Sequence, residues 1–394
     1  MHDAFLDSRS KMTSYREFIG TFRELGLKSM TLREIAKAGS FDGMLGLRHD
    51  VDHHIERAYL MGRIEADAGA HATYFLLPPG DYDKDENYYG RIVSGAVEHN
   101  PEMLALALEL TGMGHEIALH NDFLQLSIRT GRPIAELISA EIDWFAKNGI
   151  QITGSASHGS TFAARNKISN YEIFAECVRA QNSGRSIPAG KKQFPLNSIS
   201  MKQLGLEYEA YFIGKSFYIS DSGGAVTWPR LNESGTEETF HMEQVDCQAI
   251  AGDFKRSPHK GVQALFHADH WQFSDAQAGN EPSLDRLHTA RRMARAQGWR
   301  SPRARPATLP LGYLESLLSG LSENPRIRLH HFGNVEIDPP CEGEDPRARC
   351  AREYTAWAES LTEGRRDASQ IHIFVQLSQL QNRDCALIFR PERE

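Results

Sequence analysis

The sequence predicts an α/β fold with a parallel sheet wound into a barrel. Short apolar runs of strand length alternate with stretches of helical periodicity, and the connections between the runs are too long for hairpins. Acidic and imidazole side chains also follow the apolar runs directly, as they do where the strands of a parallel barrel open on one mouth.

Taken in order, residues 14–38 read as two helices, with Phe18, Phe22 and Leu25 at helical spacing and Thr31 placed to cap the second. Residues 44–47 form a buried strand that leads into Arg48-His49-Asp50-Val51-Asp52. A helix carrying Ile55, Tyr59, Met61 and Ile64 ends near Gly69. A strand over 72–77 is stopped by Pro78-Pro79-Gly80. Residues 103–110 and 134–147 are helical. Strands over 117–119 and 152–155 end at His120 and at Ser157-His158-Gly159. Later strands are expected over 216–220, 264–267 and 326–329. Clusters of Gly, Ser, Asn and Lys over 156–210 predict long loops on one face, and the proline- and acid-rich residues 339–346 read as a linker. The expected division is therefore a barrel over 1–335 and a short C-terminal extension over 336–394, itself one helix and one strand.

The chain has 394 residues, which accommodates a barrel of roughly 250–300 residues and an extension. Its net charge of −8 counts against a nucleic-acid partner, whose binding face is basic. Cys177, Cys247, Cys341, Cys350 and Cys385 are scattered without a CxxC pair, which predicts free thiols rather than a disulfide framework or a thiolate zinc site. No signal-peptide core and no run of about 18 apolar residues occurs, so the expectation is a soluble, cytoplasmic protein without a transmembrane segment.

The candidate chemistry lies at the strand ends. Asp50 and Asp52, two apart on an extended segment, point the same way. Two adjacent carboxylates repel unless a metal or a proton neutralises one. His120 ends its strand and is the expected imidazole ligand, whereas His115, five residues earlier and on the opposite face, is expected to make a fixed hydrogen bond. His158 precedes a glycine at which the chain can turn. His267 suits a general acid, and Trp271 either walls the mouth, stacks on a sugar ring, or belongs to the core.

These residues carry a resemblance. Residues 47–52, the stretch from Glu65 to Phe75 and residues 114–120 resemble successive motifs of the polysaccharide deacetylases (carbohydrate esterase family 4, the NodB-like domain). Ser157-His158-Gly159, residues 218–223 and residues 266–271 are similar to later motifs of its Arg-His-Asp-Val-Asp branch. The resemblance covers roughly residues 14–335 and implies a distorted (β/α)7 barrel that hydrolyses an acetyl group on a sugar. It implies Asp50 as catalytic base, Asp52 and His120 as metal ligands and His267 as acid. One position departs from the pattern: the second histidine ligand is replaced by Leu124. His158 is the expected third ligand, with Asp122 behind it. The usual arginine-bearing motif is also absent, and Arg48 or Arg230 would supply its function. Arg48, Asp122, Asp221 and Trp271 are the expected substrate contacts.

The function expected from this reading is a metal-dependent hydrolase acting on non-peptide carbon–nitrogen bonds, which removes acetyl from an N-acetylated sugar or glycan with a divalent metal, zinc for this donor set. Two alternatives are a related barrel hydrolase acting on a non-sugar amide and an inactive carbohydrate-binding homologue. A glycosidase is disfavoured, because its two carboxylates must face each other across a cleft whereas Asp50 and Asp52 share a strand.

Overall fold

The structure is a computed structural model of the chain. It describes residues 15–52, 55–80, 89–178, 182–189, 192–222, 226–242, 246–268, 271, 285–299, 327–330, 334–337, 371–377 and 385–391. Helix α1 (Tyr15–Glu24) leads through β1 (Lys28–Met30) and α2 (Leu32–Ala38) into β2 (Met44–Val51). There follow α3 (Ile55–Asp67), β3 (Thr73–Leu76), a hairpin of β4 (Gly90–Val93) and β5 (Ala96–His99), α4 (Pro101–Gly112), β6 (Glu116–Asn121), α5 (Phe123–Thr130), α6 (Ile134–Lys147) and β7 (Gly154–Ser157). Next come α7 (Thr161–Asn166), a hairpin of β8 (Ser186–Ala189) and β9 (Lys192–Pro195), β10 (Tyr208–Glu209) and β11 (Phe217–Ser220). The hairpin of β12 (Val226–Leu231) and β13 (Glu237–Met242), α8 (Cys247–Arg256), β14 (Val262–His267) and α9 (Asp285–Ala296) complete this part.

The main sheet has the order β10-β7-β6-β3-β2-β14-β11-β12-β13. Every pairing from β10 to β11 is parallel, and β12 and β13 add an antiparallel margin. The strands are apolar on both faces, as parallel strands covered on both sides must be. Outward residues Leu45, Leu47, Val51, Tyr74, Leu76, Ile117 and Leu119 pack into the large core with the helices. Inward residues Phe75, Ala118 and Ala156 pack instead on Leu32 and Ile35 of α2. That helix is set by a capping box between Thr31 and Glu34. Gly46 allows α2 this close approach: a Cβ there would lie 2.8 Å from Ile35 Cδ1 and 2.9 Å from Leu32 Cδ2.

Several sequence expectations change in detail. Residues 14–38 hold a strand between the two helices; β1 is three residues long, too short to display a period, and pairs with β2 beside β3. β2 runs through Val51, so Arg48 to Val51 lie in the strand rather than beyond it. The strand expected over 152–155 occupies 154–157. The loops expected over 156–210 contain α7, a hairpin and β10. At the C-terminus β15 (Ile327–His330), β16 (Asn334–Ile337), β17 (Ile371–Leu377) and β18 (Cys385–Pro391) form an antiparallel sheet in the order β15-β16-β18-β17. The boundary expected at 335 therefore falls inside β16, which is hydrogen-bonded to strands on both sides. The linker over 339–346, and with it Cys341 and Cys350, lies outside the described residues. Cys177 and Cys247 are free and buried. Among the described residues no helix is long and apolar enough to cross a membrane.

Candidate metal centre

Parallel register brings the strand ends together. His267 of β14 is the Cα partner of Asp50 on β2, and His120 of β6 is the partner of Ala156 on β7, two residues before His158. Pleating then sorts β2 by parity: Arg48 and Asp50 face inward, followed by Asp52, whereas His49 faces the helices.

His120 Nδ1 donates to the Ala156 carbonyl at 3.1 Å, an arrangement that turns Nε2 toward the mouth. That Nε2 lies 3.3 Å from Asp52 Oδ1, 3.3 Å from Asp50 Oδ2 and 3.1 Å from His158 Nδ1. His158 Nδ1 is 3.9 Å from Asp52 Oδ1. The ligand atoms of Asp52, His120 and His158 thus form a triangle that could hold a metal ion. Two donors on a tetrahedral cation with bonds of about 2.0–2.1 Å stand about 3.3 Å apart, close to two of the three observed edges, the third being 3.9 Å. The buried Asp52 Oδ1 has no hydrogen-bond partner among the described residues, which also fits a cation there. Burial opposes ionisation of Asp52, but His158, His120 and His267 hold its carboxyl well below the ordinary carboxylate range. Burial likewise works against a charged His120, and Asp50 and Asp52 outweigh it and raise its pKa. The cluster is therefore built for positive charge between its carboxylates, whether a proton or a metal supplies it.

Asp50 is held by Arg48 through two bonds, Nε to Oδ1 at 2.9 Å and NH2 to Oδ2 at 2.8 Å. Arg48 is fully buried. Burial again opposes charge on Asp50, and Arg48 and His120 pull its pKa below the usual value. His267 Nε2 lies 3.9 Å from Asp52 Oδ2, and its Nδ1 contacts Asp221 Oδ1 at 2.6 Å. The His267 backbone N–H also donates to Asp221 Oδ2 at 2.9 Å. Against desolvation, Asp221 and then Asp52 and Asp50 push the imidazole up to about 10. His267 is thereby fixed in orientation and biased to carry a proton.

Five of the expected site residues, Asp50, Asp52, His120, His158 and His267, are brought together. The four expected substrate contacts have other surroundings. Arg48 is sequestered under the Tyr211 ring, 4.8 Å from its centroid, and pairs with Asp50. Arg230 instead pairs with Asp253. Asp221 orients His267. Asp122 is buried and accepts Asn170 Nδ2 at 2.9 Å and Gln125 Nε2 at 3.3 Å; the metal group contains His158 in its place. Trp271 is a core residue, 5% exposed, with its ring 4.9 Å from those of Tyr15 and Phe266. His115 makes the expected fixed bonds, accepting from Ala72 N and donating to the Gly62 carbonyl. His53, His54, Asp269 and His270 lie outside the described residues.

Two supporting groups had no clear sequence signal. Asn170 Nδ2 donates to the His158 carbonyl as well as to Asp122. Glu209 is buried, accepts from Ser157 N and from Tyr211 N, both at 2.8 Å, and is pushed by burial up to about 7. An acid embedded in the apolar run Tyr208 to Ile213 is the clue that marks Glu209. No family model and no curated protein matches the chain.

Proposed function

We propose that this protein is a metal-dependent deacetylase that hydrolyses the acetamide of an N-acetylated sugar, on a distorted (β/α)7 barrel. The single observation that carries the reading is the convergence of Asp52, His120 and His158 beside an arginine-held Asp50 and an aspartate-held His267. The barrel reading is supported by the seven parallel strands from β10 to β11 and by contacts from the β10 end to the opposite end: Gln263 Nε2 of β14, the strand beside β11, donates to the Ala210 carbonyl at 3.3 Å, and the Tyr211 ring lies 6.2 Å from that of Tyr218 on β11.

Asp52, His120 and His158 would hold the cation, and zinc suits two imidazoles and a carboxylate. Bound there, it would polarise the acetyl carbonyl and acidify a water. Asp50 takes the proton from the attacking water; the fork of Arg48 keeps it ionised and aims its Oδ2 at the mouth. His267 enters protonated because Asp221 stabilises the imidazolium, and it delivers that proton from Nε2 to the departing amine nitrogen. The two groups thus hold opposite protonation states at one pH, which acid–base catalysis of amide cleavage requires.

Acetate release from N-acetylated amino sugars, measured beside metal content, tests the reading. Asp50→Asn is expected to lower turnover at least 100-fold while retaining the metal. Unchanged turnover in that variant eliminates Asp50 as the base. A purified wild-type protein that binds no added metal and releases no acetate overturns the hydrolase.

A further inference from the structure

His158 reaches the metal triangle from the loop between β7 and α7. Leu124, which stands where the resemblance places a second histidine, is turned into the large core, so its helix α5 brings no imidazole from that position. A ligand carried on a loop keeps its geometry only if hydrogen bonds from outside the loop fix it.

Three residues supply that fixing in a closed circuit. The His158 backbone N–H donates to the Asn121 carbonyl at 3.0 Å. Asn121 Nδ2 donates to the Asn170 carbonyl at 3.0 Å. Asn170 Nδ2 donates to the His158 carbonyl at 2.9 Å, which closes the circuit. The same Nδ2 donates to Asp122 Oδ1, also at 2.9 Å. Its partners are a carbonyl and a carboxylate, so the orientation of the amide follows from them. Asn121 and Asn170 are fully buried, and Asp122 nearly so. Water therefore offers no substitute for a broken link.

The circuit ties the two imidazole ligands to each other. Asn121 directly follows His120 on β6, so the residue that holds the His158 backbone is the neighbour of the other ligand. The approach of His120 Nε2 to His158 Nδ1, 3.1 Å, thus rests on backbone links and not on a free loop. Asn170 is itself held. It opens a short 3-10 turn, Asn170–Ile173, whose buried Glu172 accepts from Ser169 N at 2.8 Å and from Asn182 Nδ2 at 2.7 Å. Asp122, the reserve ligand of the sequence reading, serves as the acceptor that aims Asn170.

We propose that Asn170 is a positioning residue for the metal centre: by clamping the His158 carbonyl, it holds a loop imidazole at the ligand position and so sets the affinity of the triangle for a divalent cation. The proposal rests on the metal triangle and not on the deacetylase reaction.

The test is the zinc affinity of the full-length protein, measured by competition with a chromogenic chelator, with melting curves of the metal-free samples checking the fold. Asn170→Ala is expected to weaken zinc binding roughly 10–100-fold, the usual cost of losing a group that orients a ligand. Asn170→Asp keeps the volume but sets an oxygen against two acceptors, and should weaken binding as well. Gln125→Ala removes the other donor to Asp122 and leaves the circuit whole, so zinc binding should stay at the wild-type level. Unchanged affinity in Asn170→Ala overturns the proposal and leaves the triangle. A loss in Gln125→Ala as large as that in Asn170→Ala also overturns it, because the effect is then a general loosening around Asp122. If neither Asn170 variant folds, Asn121→Ala opens the circuit at its other side-chain link and carries the same expectation. A wild type that binds no zinc overturns the triangle and the proposal together. None of these outcomes depends on acetate release, so the hydrolase is judged separately.

Discussion

On its outward face β2 presents His49 to a buried polar cluster. His49 Nδ1 donates to the Phe266 carbonyl, its Nε2 lies 2.5 Å from Glu65 Oε1, Tyr15 donates to the same carboxylate, and Tyr74 donates to Oε2 at 2.7 Å. On its inward face the same strand presents Arg48 and Asp50, with Asp52 following, to His120, His158 and His267. The residue types are similar, but the accounting is opposite. Outside, donors surround one carboxylate. Inside, one ligand atom from each of Asp52, His120 and His158 converges on a point that could hold a metal ion. The first arrangement holds helices α1 and α3 to the sheet. The second gathers two imidazoles and two carboxylates in the arrangement a cation could occupy. The location of a polar cluster on a strand thus says less about its role than whether its donors and acceptors balance.

The largest effect that would break this comparison is at Glu65. Glu65→Leu leaves His49, Tyr15 and Tyr74 buried around a missing acceptor, and is expected to lower unfolding free energy by about 3–5 kcal/mol in urea titration. A loss under about 1 kcal/mol would mean that the outer cluster is not structural.

A slightly smaller effect concerns Glu209, which fastens Ser157, next to His158, to Tyr211. Its folded carboxyl sits at about 7 against an ordinary value of 4.5. The folded state therefore keeps a proton that the unfolded chain gives up earlier. The stability from that proton is complete below about 4.5 and is lost as pH rises through about 7, a swing of about 3 kcal/mol. Glu209→Gln should flatten the fall in urea-derived stability between pH 5 and 8. An undiminished slope would place the titration elsewhere.

The third effect belongs to the inner triangle alone. Zinc at 100 times its dissociation constant should stabilise the wild type by about 2.7 kcal/mol through mass action, seen as a higher melting temperature. Asp52→Ala should abolish that increment. An increment that persists in Asp52→Ala would remove the triangle as the site, since its carboxylate would be dispensable.

Much of this was legible in the residues. The strand–helix alternation and Thr31 capping α2 follow from local periodicity and cap chemistry, which act within a few residues. The metal group follows from polar residues at strand ends. Less legible were β1, too short for a period, and Trp271, whose ring turns into the Tyr15–Phe266 cluster although His267, four residues earlier, lies beside Asp52. Asp122 read as a reserve ligand or a substrate contact, and Asp221 as a substrate contact. Only Asn170 and His267, distant in the chain, decide that each serves as a positioning group.

By itself the sequence determined the parallel α/β class, the alternation that sends Asp50 and Asp52 to one face of β2, and the histidines that accompany them, because side-chain direction along a strand is a property of the local backbone. The tertiary structure alone decided between His158 and Asp122 for the triangle, that Arg48 rather than Arg230 holds Asp50, and that Glu209 bridges Ser157 to Tyr211. Those are pairings across strands, set by register and burial, and no local pattern encodes which distant partner a buried charge will meet.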